Sequence, residues 1–155
     1  MKYAILIVIF MISSCKGQKN MTDNNAKSQI KSDSPMVLIL QDQSAEFDVE
    51  ETLIIRDQKR LKSFYSKINK TRKPGLPLPD VDFTKEIIIA YCSGEQSGDG
   101  LAKLTIYDET KTEVFIDSKF EVRTKAPVMI KTNPFCIYKM RITDKEVRFT
   151  NKPIK

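Results

Sequence analysis

The segment 86–92 reads Glu-Ile-Ile-Ile-Ala-Tyr-Cys. Its six consecutive apolar residues lack the polar alternation of a half-exposed strand, and the run is too short for a typical helix. Such a run is typical of a strand that is covered on both faces. We therefore expect this segment to lie in the centre of a sheet, with another layer on each side.

One amphipathic helix is predicted upstream of this strand. Asp57 is placed to cap its first turn, and the helix should end near Lys70, before the breaker Lys73-Pro74-Gly75. Apolar residues at i, i+3, i+4 and i+7 define one face for packing against the sheet. These residues are Leu61, Phe64, Tyr65 and Ile68.

The remaining apolar patterns predict strands. Short continuous runs favour strands at 36–40 and 49–56, and alternating patterns favour strands at 101–107, 112–123 and 136–142, with a last short strand around Val147 and Phe149. The predicted fold class is α+β, with a mainly antiparallel sheet of about six strands and the amphipathic helix packed on it.

The N-terminal residues 1–14 have the pattern of a signal peptide. Lys2 precedes a nine-residue apolar run, 4–12, which fits an h-region of 7–15 residues and is too short to span a membrane. The following Ile12-Ser13-Ser14-Cys15 resembles the lipobox of bacterial lipoproteins. In those proteins the peptide is cut before the cysteine, and the thiol, here that of Cys15, takes a diacylglycerol, so that the residue carries several acyl chains such as palmitate. The alternative is an ordinary secretory peptide, or a short anchor, that ends at a cysteine by chance.

Residues 15–35 are predicted to be the lipidated cysteine and a disordered tether, because few of them are apolar. The residue after Cys15 is Lys16, so the aspartate that retains enterobacterial lipoproteins in the inner membrane is missing. We expect an outer-membrane anchor that faces the periplasm, since the acidic pair of surface-exported lipoproteins is missing as well. The rest of the chain, 36–155, is predicted to be a single domain.

Two segments around the central strand resemble a known family. They are Pro-Gly-Leu-Pro-Leu-Pro-Asp-Val-Asp-Phe at 74–83 and Gly-Glu-Gln-Ser-Gly-Asp-Gly at 94–100. This order of a proline-rich approach, a buried strand and a glycine turn resembles the C-terminal domain of the PrcB protease-complex subunit family. The chain departs from that pattern at 97–101, where Ser-Gly-Asp-Gly-Leu replaces Thr-Gly-Gly-Tyr. The resemblance implies an envelope accessory module without catalytic residues, associated in some members with subtilisin-like proteases.

We predict a partner-binding surface on these two segments, with Pro77 and Pro79 in the approach and Gln96, Ser97, Gly98 and Asp99 in the turn. The strand between them spans roughly 23 Å, so they share a rim only if the approach folds back beside the sheet. Glycine-rich loops often carry function. The alternative is a plain connection that needs glycine for its geometry.

Composition excludes several classes of function. The chain has no histidine, which rules out Ser-His-Asp and Cys-His catalysis and every metal site built on imidazole. A net charge of +6 is too small to indicate a nucleic-acid-binding protein. We therefore predict a lipid-anchored, non-catalytic module that binds an envelope protein, with no metal or cofactor. The alternatives are a histidine-free enzyme that uses Lys, Asp or Ser and, within the binding class, a protease inhibitor with the proline-rich segment as its wedge.

Several other residue groups have two interpretations. Seven basic residues and no acidic one occupy the stretch from Lys59 to Lys73. They form either a solvated helix face or a patch that binds anionic lipid or an acidic partner. Asp80 and Asp82 are either turn caps or paired carboxylates. Cys92 and Cys136 either form a disulfide or remain free buried thiols. A further acidic group lacks recognisable calcium-ligand spacing; its members are Glu95, Asp99 and Asp108.

Overall fold

A four-stranded sheet forms the centre of the domain, with one helix on one face and a three-stranded sheet on the other. The computed structural model describes residues 35–123 and 130–150, which all lie in one unit, Ser32–Lys155. The predicted signal peptide, Cys15 and all of the predicted tether except Pro35 lie outside the described residues.

The described part of the chain contains one helix and nine strands. In chain order these are β1 (Met36–Asp42), β2 (Glu50–Ile55), α1 (Gln58–Ile68), β3 (Glu86–Ser93), β4 (Gln96–Ser97), β5 (Gly100–Glu109), β6 (Glu113–Val122), β7 (Lys131–Thr132), β8 (Phe135–Arg141) and β9 (Glu146–Phe149).

The predicted α+β class is confirmed, because the strands are mainly antiparallel and accompany one helix. The strands do not form one sheet of six, however. The central sheet has the order β1-β8-β3-β2, and a second sheet has the order β5-β6-β9. The β6–β9 pair is parallel, and among the described strands β4 pairs only with β7. Local alternation predicts strands but does not identify their partners, which is why the sequence did not predict this division.

Strand β3 is interior, as predicted, and each of its faces contributes to a different core. The helix-side core contains Ala45, Phe47, Ile55, Leu61, Phe64, Tyr65, Ile68, Val81, Ile88, Ala90, Cys92, Phe135 and Ile137. The sheet-side core contains Met36, Ile87, Ile89, Tyr91, Ala102, Leu104, Val114, Ile116, Cys136, Met140 and Val147. The continuous apolar run of β3 therefore follows from burial on both faces.

Helix α1 begins and packs as its sequence predicts. The Asp57 side chain accepts a hydrogen bond of 2.8 Å from the backbone N–H of Arg60, which satisfies a free donor of the first turn. All four residues of the predicted apolar face are buried. The helix ends at Ile68, and Asn69 is its C-cap. Truncating a buried aromatic side chain of this face, such as Phe64, to alanine should cost about 3–5 kcal/mol.

Two apolar residues that continue the alternation of their predicted strands are not buried. Val122 is 58% exposed and Ile142 is 43% exposed, although alternation placed each in line with buried residues of its strand. Val122 ends β6 and Ile142 follows β8, so both lie beyond the last core residue of their segments. Alternation gives the face of a strand, but it does not show where the layer that covers this face ends.

Candidate functional site

The proline-rich approach is attached to the end of α1 by one side chain. The Asn69 amide accepts a 2.7 Å hydrogen bond from the Leu76 N–H and donates one of 2.9 Å to the Leu76 carbonyl. Leu76 also packs against the helix-side core. After Leu76, Pro77 is exposed and Pro79 is half-buried. These two predicted binding residues therefore come directly after a residue whose backbone is held in place by Asn69.

The two aspartates of this segment have different surroundings. Asp82 accepts hydrogen bonds from the Thr84 N–H at 3.0 Å and the Thr84 hydroxyl at 2.5 Å, and its other oxygen lies 2.7 Å from Lys85 Nζ. The Lys85 hydrogen bond, followed by those from Thr84, lowers the pKa of Asp82 to about 2. Asp80 is exposed. This geometry matches the turn-cap interpretation at Asp82.

The glycine turn is more ordered than a simple loop. Gln96 and Ser97 form β4, which pairs with β7. The Gln96 amide donates to the Ser93 carbonyl at 2.7 Å, and the Gly98 N–H donates to the Ile130 carbonyl at 2.8 Å. The backbone N–H of Gly98 is therefore bonded within the domain.

Glycine is required at two positions of this turn for its geometry. Gly94 and Gly98 have φ values of +69° and +103°, which residues with a Cβ rarely adopt. A Cβ at Gly94 would also lie 2.9 Å from backbone atoms of Val49 and Glu50. These contacts favour the plain-connection alternative for the glycines. Ser97 remains exposed on the surface of the turn.

A chain of side-chain contacts joins the start of the approach to the glycine turn. Arg72 makes a bidentate pair with Asp42, with Nη–Oδ distances of 3.1 and 2.8 Å, and it also donates to the Ser44 carbonyl. The neighbouring Gln43 donates to the Asp99 carboxylate. The approach thus begins at the same end of the central sheet as the turn, although no described contact joins its two predicted prolines to the turn.

No local sequence pattern reveals this cluster, because its partners are far apart in the chain. Arg72 is part of the basic stretch, and Asp42 follows an apolar run in the way that any turn residue does. Partial burial by itself would raise the pKa of Asp42, but hydrogen bonds from Arg72 and the Ser44 N–H outweigh it and hold the pKa below its ordinary value. The Arg72 guanidinium also lies 5.9 Å from the Phe135 ring centroid. The cluster secures the end of β1.

Cys92 and Cys136 are free thiols, so the structure contradicts the disulfide alternative. Cys136 is paired in register with Tyr91, the residue before Cys92. Because successive side chains of a strand point to opposite faces, Cys92 enters the helix-side core and Cys136 the sheet-side core. Burial raises the pKa of both thiols, that of Cys92 to about 12, so in the folded state both remain protonated.

A groove lies between helix α1 and strand β2, where the sequence predicted only a helix face. Its volume is about 410 Å³. Strand β2 is the last strand of the central sheet, and no backbone hydrogen bond within the described residues reaches its outer edge. The residues that line the groove are Thr52, Leu53, Ile54, Ile55, Arg60, Ser63, Phe64 and Lys67.

The charged residues of the groove are both cations. The Arg60 Nε lies 3.7 Å from an Asp57 oxygen, with the two side chains 73% and 52% exposed, so this pair is weak, about 0–1 kcal/mol. Lys67 Nζ lies 5.4 Å from the Phe47 ring centroid. Elsewhere in the basic stretch, Lys70 pairs with Glu46 at 3.0 Å and Arg72 with Asp42. Within the described residues Lys59, Lys62 and Lys73 form no ion pair.

No protein-family model, curated protein or solved structure matches this chain. The resemblance to the PrcB family therefore stays a prediction. Within 35–123 and 130–150, no helix is both long enough and apolar enough to cross a membrane. Across the same ranges, no three carboxylate, thiol or imidazole side chains are grouped to hold a metal ion.

Proposed function

We propose that the chain is a lipid-anchored, non-catalytic binding module of a bacterial envelope. The apolar run 4–12 and the Ile-Ser-Ser-Cys segment that ends at Cys15 support secretion and lipidation. Multiple acyl chains hold a protein on a membrane far more firmly than the single chain that gives marginal binding. The polar tether then separates the folded domain from an outer-membrane surface that faces the periplasm.

The observation that carries the binding function is the groove beside β2. A regular edge strand whose outer backbone groups have no partner within the described residues is a ready template for another extended segment. The adjoining face of α1 supplies an apolar floor through Phe64 and two cations, Arg60 and Lys67. A protein partner is the class of ligand that uses a strand edge, and an envelope protease, as the PrcB resemblance implies, is one candidate.

The anchoring part of this proposal is tested by a Cys15→Ser variant of the full chain. The unchanged chain should incorporate a labelled fatty acid and sediment with membranes, and the variant should lose both properties. A Cys136→Ser variant is the matched control, because its thiol is buried in the sheet-side core. If the Cys15→Ser chain still sediments with membranes, the lipid-anchor proposal is wrong.

The binding part is tested with photo-crosslinking residues placed in the full chain in its native envelope. Position 52 lines the groove and position 97 lies on the glycine turn, whereas the exposed Lys111 lies between β5 and β6 and is the control. Reproducible protein adducts from 52 or 97, but not from 111, support a binding module. The absence of adducts from both sites would contradict it, as would turnover of generic ester, peptide or glycan substrates by the purified chain.

A further inference from the structure

We propose that the groove between β2 and α1 binds an extended acidic peptide segment of a partner protein, which adds to β2 as a new strand. This inference rests on the proposed function and specifies the partner by its chemistry. It follows from three features of the groove, which are the free strand edge, the apolar floor and the charge of the wall.

The first feature is the regular edge of β2. Its six residues pair with β3 in unbroken register, from Glu50 opposite Ser93 to Ile55 opposite Ile88. In such a strand alternate residues direct their N–H and C=O groups away from the sheet, so about three residues present a continuous row of donors and acceptors. Six residues span about 20 Å, enough for a peptide of five or six extended residues.

The second feature is the apolar floor. Leu53 and Ile55 point toward the helix side of the sheet, where both pack with the helix-side core, and Phe64 lies against them from α1. Leu53 is half-buried, whereas Ile55 and Phe64 are buried. An added strand would direct every second side chain toward this floor. An apolar side chain at the middle of the peptide would therefore be shielded from water.

The third feature is the positive wall. Arg60 and Lys67 are the only charged residues among those that line the groove, and both are exposed. Two residues, Arg56 and Asp57, connect β2 to α1 and reverse the chain, so Arg60 lies toward the Ile55 end of the groove and Lys67 toward the opposite end. Seven helical residues separate them by about 10 Å along the axis.

This spacing defines the peptide. Side chains at i, i+2 and i+4 of an added strand face the helix and span about 13 Å, which the flexible ends of Arg60 and Lys67 can bridge. The fitting pattern is acidic, any residue, apolar, any residue, acidic. Charge complementarity disfavours a basic occupant, because the lining offers two cations and no carboxylate.

The direct test uses a fluorescent peptide, Thr-Glu-Thr-Val-Thr-Glu-Thr with blocked ends, and the full chain in detergent micelles. Binding measured by anisotropy should weaken at least about 10-fold when both glutamates become lysine and in the variants Arg60→Glu and Lys67→Glu. Lys62→Glu is the control, because Lys62 carries the same charge on the same helix but lies about 160° around the axis from Arg60. Equal weakening by Lys62→Glu would overturn the proposal.

Strand addition is tested by N-methylation of the peptide. Methylating one alternate set of backbone amides should abolish binding, and methylating the other set should leave it within about threefold, because only one set faces β2. If both methylated peptides bind as well as the parent, the contact is electrostatic only and strand addition is wrong.

A lipid surface is the competing occupant. Vesicles with 30% phosphatidylglycerol should bind the full chain, and Lys67→Glu should weaken this binding no more than Lys62→Glu does. A selective loss for Lys67→Glu, without peptide binding, would overturn the proposal in favour of headgroups. In the native envelope, adducts from position 97 but none from position 52 would overturn the proposal that the groove binds the partner, and they would still support the proposed binding module. Loss of adducts from both positions would contradict the proposed function itself.

Discussion

The two edges of the central sheet are built differently. Edge strand β1 has an irregular register, because the pairing with β8 skips Ile39 between Leu38 and Leu40. Side chains at its end also connect it to other elements. Gln41 donates to the Ala102 carbonyl of β5 at 2.7 Å, and Asp42 binds Arg72. Edge strand β2 has no bulge. The side chain of Glu50 at its start hydrogen-bonds Tyr91 of the adjacent strand β3, and within the described residues no side-chain hydrogen bond or ion pair joins β2 to an element outside its own sheet.

This difference matters because an edge strand is a site of uncontrolled pairing unless something blocks it. Bulges and tight connections to neighbouring elements are two ways in which proteins block an edge. Strand β1 uses both of them. The regular edge of β2, beside a groove with a positive wall, is instead suited to controlled pairing with a chosen segment.

The largest expected effect concerns amide hydrogen exchange. Alternate amides of Glu50–Ile55 should exchange at least about 100-fold faster than the intervening ones, because only the latter are bonded to β3. In β1 the bulge at Ile39 should break this alternation. Residue-resolved exchange by NMR measures both strands, and uniformly slow exchange across β2 would show that another part of the chain covers its edge.

The second prediction concerns the Arg72–Asp42 ion pair at the end of β1. Arg72→Ala should lower the free energy of unfolding by about 2 kcal/mol, between the values for exposed and buried pairs, because the Arg72 and Asp42 side chains are 20% and 32% exposed. Lys70→Ala is the control, since the Lys70 side chain is 75% exposed in its pair with Glu46, and it should cost less than about 1 kcal/mol. Urea unfolding measures both. Equal losses would mean that Arg72 does not secure this edge.

The two cysteines report on opposite edges. Cys92 pairs in register with Glu51 of β2, and Cys136 pairs with Gln41 of β1. Because burial raises the pKa of each thiol, alkylation requires local opening. With β2 the less secured edge, Cys92 should be alkylated about 10-fold faster than Cys136, an opening free energy lower by about 1.4 kcal/mol.

Mass spectrometry of the alkylated peptides, without reductant, measures both rates. Denaturation should expose two reactive thiols in the domain, which checks that no disulfide joins them. Faster alkylation of Cys136 would reverse the ranking of the two edges.

The smallest expected effect is the pH dependence of the stability that the Arg72–Asp42 ion pair contributes at the end of β1. The folded-state pKa of Asp42 lies below the ordinary value of an aspartate, because hydrogen bonds from Arg72 and the Ser44 N–H outweigh the effect of partial burial. Its contribution to stability is therefore present above about pH 4 and is lost as the pH falls through the folded-state pKa. Between pH 6 and pH 3, an Asp42→Asn variant should lose less stability than the unchanged chain, by under about 1 kcal/mol. Thermal unfolding at several pH values measures this, and an unchanged slope would remove Asp42 from the acid response.

The sequence was most informative where a pattern is local. The i, i+3, i+4, i+7 spacing identified the buried face of α1, Asp57 identified its first turn, and the apolar run of β3 indicated cover on both faces. It was less informative about the glycine turn, because the hydrogen bond from Gly98 to Ile130 joins residues 32 positions apart. The predicted binding residues Gln96 and Asp99 are also engaged in internal hydrogen bonds, Gln96 with the nearby Ser93 and Asp99 with the distant Gln43.

By itself the sequence determined which segments are strand or helix and which of their faces are apolar, since these properties depend on residues within one or two turns of each other. Only the tertiary structure decided that the strands form two sheets, that Cys92 and Cys136 point into different cores, and that β2 lies at an edge beside Arg60 and Lys67. The physical reason is that strand order depends on pairings between distant segments, and each edge, core and groove of this domain exists only once those pairings are made.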